Sequence, residues 1–235
     1  MNRIAVISVH GCPLARLGEK DSGGMNLCVR EQAIHLANLG LQVDVFTRRH
    51  DPGVLTEEPL APGARVIHLE AGEAELEKEE LYPHLSQFLC QLLRFQQAHS
   101  LSYDLIHAHY WLSGWVGYHL KKRWHVPLIA TFHTLGEVKR RAHAGERETS
   151  LRVETEGRIV KRSDRIVVSS PQERAQLIRL YGAPPHRVEV VPCGVDLELF
   201  RPLSRCMARK ALGLGDGRIV PIRDAAEEDR GEALP

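Results

Sequence analysis

Two histidines at the end of a strand-like segment are the first residues with chemical potential. The motif "HAHY" places His107 and His109 two positions apart, so a strand would turn both side chains to one face. Such a pair can bind a metal ion, as in metal-dependent hydrolases. No carboxylates follow matching strands, so a buried histidine hydrogen-bonded to the backbone is the competing interpretation for at least one of the two. A hydrolase is therefore the least favoured hypothesis.

A third histidine is followed by hydroxyl and basic residues. The segment "TFHTLGEVKRR" contains His133 and Thr134 and ends in three cations. A histidine at a strand end can donate a hydrogen bond to a substrate hydroxyl or act as its general base. A core histidine is the alternative. The cations form either a solvated helix face or, with Arg147, Arg152 and Arg158 further along, a group of which one or two bind a phosphate in a cleft.

A pair of glycines precedes the first helical pattern. Gly23 and Gly24 in "DSGGMNL" follow the first strand-like segment. Without side chains they allow close approach of the backbone to a ligand, and the amides at a helix start favour an anion such as a diphosphate. A tight loop without a ligand explains the pair equally well. Neither the dinucleotide motif GxGxxG nor the phosphate loop GxxxxGK[ST] is present.

Strand-like and helical segments alternate along the chain, which predicts an α/β fold with a doubly wound, Rossmann-like parallel sheet flanked by helices. In such sheets ligands bind outside the carboxyl ends of the strands. The histidines and the glycine pair all fall at predicted strand ends. The predicted strands cover residues 3–9, 42–48, 64–70, 104–110, 127–133, 165–170 and 187–192.

The intervening segments predict helices and loops. An apolar stripe within residues 75–99 has helical spacing. Ser170, Pro171 and Glu173 form a helix start, and Gly182 marks the helix end. We interpret residues 47–64 as a surface loop whose beginning, "TRRHDPG", is a solvated basic turn. The segment "MARKALGLG" predicts a short helix, and the charged residues after it predict a disordered tail.

The composition excludes several classes of partner. The 235 residues carry a formal net charge of +1, which gives no electrostatic basis for binding nucleic acid or an anionic membrane. The five cysteines form no CxxC pair, which argues against a zinc ribbon and fits a reducing compartment. No apolar run approaches the ~18 residues of a membrane span. We therefore expect a cytoplasmic protein without a membrane span.

Five motifs in order resemble the acceptor-side half of family-4 retaining glycosyltransferases, which have the GT-B fold. The resemblance covers about residues 3 to 205 and is nearest to the mycothiol-pathway N-acetylglucosaminyltransferase and sucrose-phosphate synthase types. The motifs are "DSGGMNLCVRE", "DLIHAHYWLSGWVG", "TFHTLGEVKRR", "SDRIVVSSPQER" and "VEVVPCGVDLELFRP".

The resemblance implies transfer of a hexosyl group from a nucleotide-sugar, with UDP as the expected nucleotide, to a hydroxyl of a small phosphorylated acceptor. Configuration would be retained, and the nucleotide-sugar would be a co-substrate, with neither a cofactor nor a metal required. His133 would be the catalytic residue, and Gly23 and Gly24 would face the donor diphosphate. The acceptor would be bound by Asn26, Lys78, Tyr110, Thr134 and Arg152.

The resemblance also predicts a domain organisation. Residues 1–203 would form the acceptor domain, and residues 204–235 an interdomain linker and a divergent tail. No match to the donor-binding domain is found after them. We therefore expect the chain to be inactive alone, and to associate with a donor-domain partner or with itself through an exposed cleft. The alternative is a non-catalytic sugar-phosphate-binding module of the same fold.

Overall fold

The chain divides into two compact units, residues 1–193 and 194–235. In the second unit the described residues include one short helix, which Ser204 caps by accepting a hydrogen bond from the Met207 amide. This helix confirms the prediction for "MARKALGLG"; the predicted tail lies outside the described residues. The domain boundary at residue 203 stays a prediction. The computed structural model describes residues 2–15, 23–51, 53–142, 149–198 and 200–214.

An eight-stranded sheet, mostly parallel, forms the centre of the first unit, as the sequence predicted. The strand order is β3-β4-β2-β1-β5-β6-β7-β8, and only the edge strand β3 runs antiparallel to its neighbour. The strands are β1 (Arg3–Ile7), β2 (Gln42–Arg48), β3 (Glu57–Ala61), β4 (Ala64–Leu69), β5 (Leu105–His109), β6 (Leu128–Thr131), β7 (Arg165–Val168) and β8 (Val188–Val190).

The prediction of a loop over residues 47–64 was wrong for the stretch that forms β3. This strand pairs with β4 after a turn at Gly63, whose φ of 84° is in the left-handed region. Glu57 and Pro59 have low strand propensity, so the residues gave no strand signal. A proline is tolerated because this is an edge strand. Pairing with β4 therefore decides the conformation, and local preference does not.

Helices cover both faces of the sheet. Helix α1 packs Val29, Ala33 and Ala37 against one face, while α2, α3, α5 and α6 contribute to the core on the other. No helix among the described residues has the length and apolar character that a membrane span requires. The helices are α1 (Gly24–Asn38), α2 (Leu85–Ala98), α3 (Tyr110–Trp124), α4 (Gly136–Arg141), α5 (Ser150–Arg162), α6 (Pro171–Tyr181) and α7 (Arg205–Ala211).

Two of the predicted helices have different outcomes. Helix α6 begins after Ser170, whose hydroxyl accepts a hydrogen bond from the Glu173 amide, and ends at Gly182 with φ 64°. That prediction is confirmed. The helix predicted over residues 75–99 is shorter, because residues 78–80 and 82–84 form 3₁₀ turns and α2 begins only at Leu85. The break places Lys78 in a turn.

Helix α3 approaches the sheet closely at Gly117. A Cβ added there would lie 2.8 Å from Leu128 Cδ1 and 3.1 Å from Ala108 Cβ. Because the Ala108 methyl is fixed to the strand backbone, it cannot rotate away. We expect Gly117→Ala to lower the free energy of unfolding by about 1–3 kcal/mol through overpacking, despite the better helix propensity of alanine. Urea unfolding followed by circular dichroism measures this.

Gly157 in α5 provides the matched control. An added Cβ there would have no atom within 4 Å, so Gly157→Ala should raise the free energy of unfolding by about 0.5–1 kcal/mol. Equal stabilisation by both substitutions would contradict the close packing of α3 on β5.

Candidate active site at the strand ends

Two residues just beyond neighbouring strands have left-handed backbone conformations. Tyr110 follows β5 with φ 75°, and His133 lies two residues beyond β6 with φ 61°. Positive φ is uncommon outside glycine and costs about 1–3 kcal/mol, and it concentrates at functional sites. The strand ends adjoin because β5 and β6 pair in parallel. The strained residues therefore mark this edge as the candidate site.

Three histidines form a chain of contacts at this edge. The rings of His107 and His109 lie 4.1 Å apart, which confirms that both side chains share one face of β5. His107 Nε2 is 3.0 Å from the Thr131 hydroxyl, and His109 Nδ1 is 3.0 Å from His133 Nε2. Both β5 histidines thus bind side chains, where the sequence suggested backbone partners.

The histidines of this chain of contacts are neutral near pH 7. Burial lowers the pKa of His107 to about 4 and that of His133 to about 4, although the Glu173 carboxylate acts in the opposite direction on His133. Burial also holds the pKa of His109 well below its ordinary value, assisted by its two histidine neighbours. Each ring therefore has one N–H and one lone pair.

Arg152 connects the ends of β5 and β6 to helix α5. The guanidinium lies 4.9 Å from the centre of the Tyr110 ring, a cation–π contact. Its Nη2 donates to the carbonyl and to the hydroxyl of Thr134, both at 3.0 Å. Its Nε donates to Glu156 Oε1 at 2.8 Å, one turn along α5. Three residues predicted to bind one ligand, Tyr110, Thr134 and Arg152, are therefore neighbours.

The carboxylate of Glu156 is the fully buried partner of Arg152. It accepts hydrogen bonds from the Gly136 amide, at 3.0 Å, and from the Tyr181 hydroxyl. Burial raises the pKa of Glu156, while Arg152 and the hydrogen bonds act to lower it. A Cβ at Gly136 would lie 3.2 Å from the Arg152 side chain. Helices α4, α5 and α6 therefore meet at this single group.

A cavity of about 370 Å³ opens beside these residues. His10, which follows β1, lines it together with Asn26 and Lys78. The His10 ring packs 4.5 Å from the Tyr110 ring, and its buried Nδ1 has no hydrogen-bond partner among the described residues. Burial lowers the pKa of His10 to about 3, with further lowering by Lys78, His133 and Arg152. His10 thus lies between the cavity and the Arg152 cluster.

Arg48 also lines the cavity, and here the sequence interpretation was wrong. We expected a solvated basic turn after β2, but Arg48 is only 7% exposed. Its guanidinium donates to the carbonyls of Glu73, Ala74 and Leu76 at 2.8 to 3.2 Å. The chain between β4 and α2 therefore folds over Arg48 and encloses it.

The glycine pair begins helix α1 without using glycine's conformational freedom. Gly23 has an extended backbone, with φ −152°, and an added Cβ at Gly23 or Gly24 would meet no described atom within 4 Å. Asn26 is buried, donates to the Cys12 carbonyl at 2.9 Å, and accepts from the Gly23 amide at 3.5 Å. Asn26 therefore joins the glycine pair to the segment after β1, at the cavity wall.

The predicted site residues cluster, and the site implied by the family resemblance left out three of their neighbours. His10 and His109 were visible as histidines at strand ends, whereas Arg48 gave no signal beyond its charge. Among the described residues no group of three or more histidine, cysteine or acidic side chains could hold a metal ion. The roles assigned to the individual site residues remain predictions.

Comparison with known proteins supports the family resemblance. The profile of Glycosyltransferase Family 4 matches residues 22–199. D-inositol 3-phosphate glycosyltransferase 2 of Catenulispora acidiphila is 43% identical over 233 residues, covering 94% of this chain and 55% of that relative. The D-inositol 3-phosphate glycosyltransferase of Saccharomonospora viridis is 46% identical, covering 94% and 54%. The chain thus spans about half the length of the curated relatives it matches.

A solved structure agrees with both the fold and the family. Sucrose-phosphate synthase from Thermosynechococcus elongatus has a TM-score of 0.83 and 36% identity to this chain, covering 92% of it and 53% of the synthase. The expected GT-B type of sheet flanked by helices is therefore confirmed.

The buried histidines predict a loss of stability in mild acid. Since the pKa values of His10, His107 and His133 fall from 6.5 to between about 3 and 4, the unfolded chain takes up protons below pH 6.5 before the folded chain does. The contribution of these histidines to the free energy of unfolding is thus fully present above pH 6.5 and is lost as the pH falls toward 4. Each histidine contributes a slope of at most about 1.4 kcal/mol per pH unit. Urea unfolding between pH 7.5 and 4.5 measures it.

A variant separates this effect from other acid effects. In His107→Gln the glutamine amide can still form a hydrogen bond with Thr131. The slope of the free energy of unfolding against pH, measured between pH 6.5 and 4.5, should decrease by the contribution of one histidine. An unchanged slope would contradict the depressed pKa of His107. The lowered pKa of Asp44 costs stability only at pH values below the ordinary aspartate range, so it does not disturb this window.

Proposed function

The chain belongs to glycosyltransferase family 4, and from that membership we propose that it forms the acceptor-binding half of a sugar-transferring enzyme. The acceptor is a small phosphorylated polyol or sugar. The carrying observation is that Lys78 lines the cavity together with His10, while Arg152, which is bonded to Thr134, lies against the Tyr110 ring that contacts His10. The names of the relatives, which act on D-inositol 3-phosphate or make sucrose phosphate, support this class of acceptor.

The acceptor phosphate is attracted by cations, of which Arg48 and Arg152 are held in place by several contacts. Lys78 and Arg48 line the cavity, and Arg152 lies close enough to act on the same His10 ring. Arg152 has little freedom to move because Glu156, Thr134 and Tyr110 all contact it. A cation held in place before the ligand arrives loses little entropy on binding, which favours affinity. The Thr134 hydroxyl, on an exposed residue, adds a hydrogen-bonding group.

Transfer itself needs a hydroxyl beside the anomeric carbon and a place for the leaving diphosphate. We assign the first to the neighbourhood of His133 and the second to the amino end of α1. Among the described residues no atom would lie within 4 Å of a Cβ added at Gly23 or Gly24, which supports an approaching ligand, and helix amides there would stabilise negative charge on the leaving group. In the proposed reaction the hydroxyl attacks on the face that the diphosphate leaves, which retains the anomeric configuration.

The donor is a nucleotide-sugar, and UDP is the nucleotide that the family resemblance favours. In that resemblance a second domain binds the nucleotide. We therefore propose that transfer requires such a domain, and that this chain by itself binds the acceptor without turning it over. A binding module without catalysis would behave identically on its own and differ only when a donor domain is supplied.

The proposed acceptor site predicts selective binding of a phosphorylated polyol. We expect D-inositol 3-phosphate to bind more tightly than inositol in isothermal titration calorimetry. Lys78→Gln should weaken binding of the phosphate by about 10- to 100-fold, since one hydrogen bond to a charged group contributes about 1.5–3 kcal/mol. Inositol binding should change much less.

The control is Lys161→Gln. Lys161 is an exposed lysine in the last turn of α5, whereas Arg152 lies in the first turns of that helix. Its substitution should leave affinity unchanged. Equal affinity of the wild-type chain for inositol and its phosphate would refute the assignment of a phosphate site.

Turnover provides a second test. With UDP-N-acetylglucosamine and D-inositol 3-phosphate, the 235-residue chain should release no UDP above the rate without acceptor. Adding the separately produced carboxyl-terminal half of a full-length relative should produce acceptor-dependent UDP release if the chain is catalytic. UDP release by the chain alone would overturn the proposed need for a second domain. If no UDP is released after the carboxyl-terminal half is added, the result would favour the non-catalytic binding module.

A further inference from the structure

The contact between His109 and His133 can exist in two tautomeric forms. Both rings are neutral, so in the 3.0 Å contact between His109 Nδ1 and His133 Nε2 one nitrogen donates and the other accepts. The choice determines what His133 offers on its other side. If Nε2 of His133 accepts, its Nδ1 has the proton; if Nε2 donates, its Nδ1 is a lone pair.

The opposite nitrogen of His109 favours one form. His109 Nε2 is buried and has no hydrogen-bond partner among the described residues. A proton there would be a buried donor without an acceptor, which proteins avoid more strictly than a buried acceptor without a donor. The proton of His109 therefore belongs on Nδ1, where His133 can accept it.

The surroundings of His133 favour the same form. The charged side chain that acts on His133 is the Glu173 carboxylate. Because Nε2 is engaged by His109, Nδ1 is the nitrogen left for that negative charge to influence, and a carboxylate favours N–H over a lone pair. The unpartnered Nε2 of His109 therefore carries the assignment of the His133 proton to Nδ1, and the Glu173 carboxylate agrees with it.

We propose that His109 is a positioning residue that donates its Nδ1–H to His133 Nε2 and thereby makes His133 a hydrogen-bond donor through Nδ1. This inference rests on the proposed function, in which Nδ1–H of His133 meets an oxygen of the sugar or of the acceptor. It selects between the two roles open to His133, since a protonated Nδ1 stabilises developing charge on oxygen and does not take up the hydroxyl proton.

The packing holds His109 in the orientation that this role requires. The residue is 0% exposed, and the His107 ring lies against it at 4.1 Å. His107 is fixed in turn by the Thr131 hydroxyl at 3.0 Å. Rotation of the His109 ring would break its bond to His133 and displace His107, so the tautomer is set by the fold.

Nitrogen NMR of the histidine rings tests the proposal directly. In the full chain with ¹⁵N-labelled histidine at pH 7.5, long-range ¹H–¹⁵N spectra distinguish a protonated ring nitrogen from a bare one, and His133→Gln identifies the His133 signals. We expect a protonated Nδ1 and a bare Nε2 on His133. A coupling across the hydrogen bond between His109 Nδ1 and His133 Nε2 should assign the shared proton to His109.

Two variants of similar shape test whether His109 causes this state. His109→Asn places an amide near the position of Nδ1 and can still donate, so His133 should keep a protonated Nδ1. His109→Leu removes the donor, and the signals of His133 should shift toward protonated Nε2. If the leucine variant does not fold, the wild-type coupling still decides.

Two results would overturn the proposal: a bare Nδ1 on His133 in the wild-type chain, or an unchanged His133 tautomer in a folded His109→Leu variant. The spectra require no sugar transfer. A wrong assignment of the His133 tautomer can therefore be distinguished from a wrong assignment of the acceptor site, which is tested by the binding of D-inositol 3-phosphate.

Discussion

The arrangement of the site depends on one buried charge, the carboxylate of Glu156. Arg152 is also buried, and a buried guanidinium without a counter-charge would cost several kcal/mol. Glu156 supplies that charge and, through the Gly136 amide and the Tyr181 hydroxyl, joins three helices at one point. Because Arg152 is held there, it can also contact Thr134 and Tyr110. The residues that follow β5 and β6 are thus held in place by their contacts with the Arg152–Glu156 ion pair.

Strand alternation and the positions of the strand ends could be predicted from the sequence. Parallel strands bring their carboxyl ends together, so the order of the residues alone places His133, Tyr110 and Thr134 near one another. Arg152 was predicted from the family resemblance; its spacing from Glu156 fits a helix pair but says nothing about burial. The enclosure of Arg48 depends on carbonyls from a distant loop. The same holds for β3, whose pairing is decided by its neighbour β4.

The positive charges of the site come from arginine and lysine, since its histidines are neutral. The net charge of the chain is close to zero, and the cavity is lined by both signs of charge, with Arg48 and Lys78 beside Glu75 and Glu77. Arginine and lysine keep their charge across the physiological pH range. The charge of these side chains is therefore nearly constant with pH near neutrality, while the neutral histidines remain available for directional hydrogen bonds.

The start of α1 has a consequence for how the protein tolerates change. Gly23 and Gly24 need neither a left-handed backbone nor the absence of a side chain to satisfy the described packing. The packing of the described residues therefore does not require glycine at these two positions. In the proposed function, the demand for glycine there comes from a molecule that approaches the backbone. At this pair the requirements of stability and of recognition are separable, whereas at Arg152 both fall on one side chain.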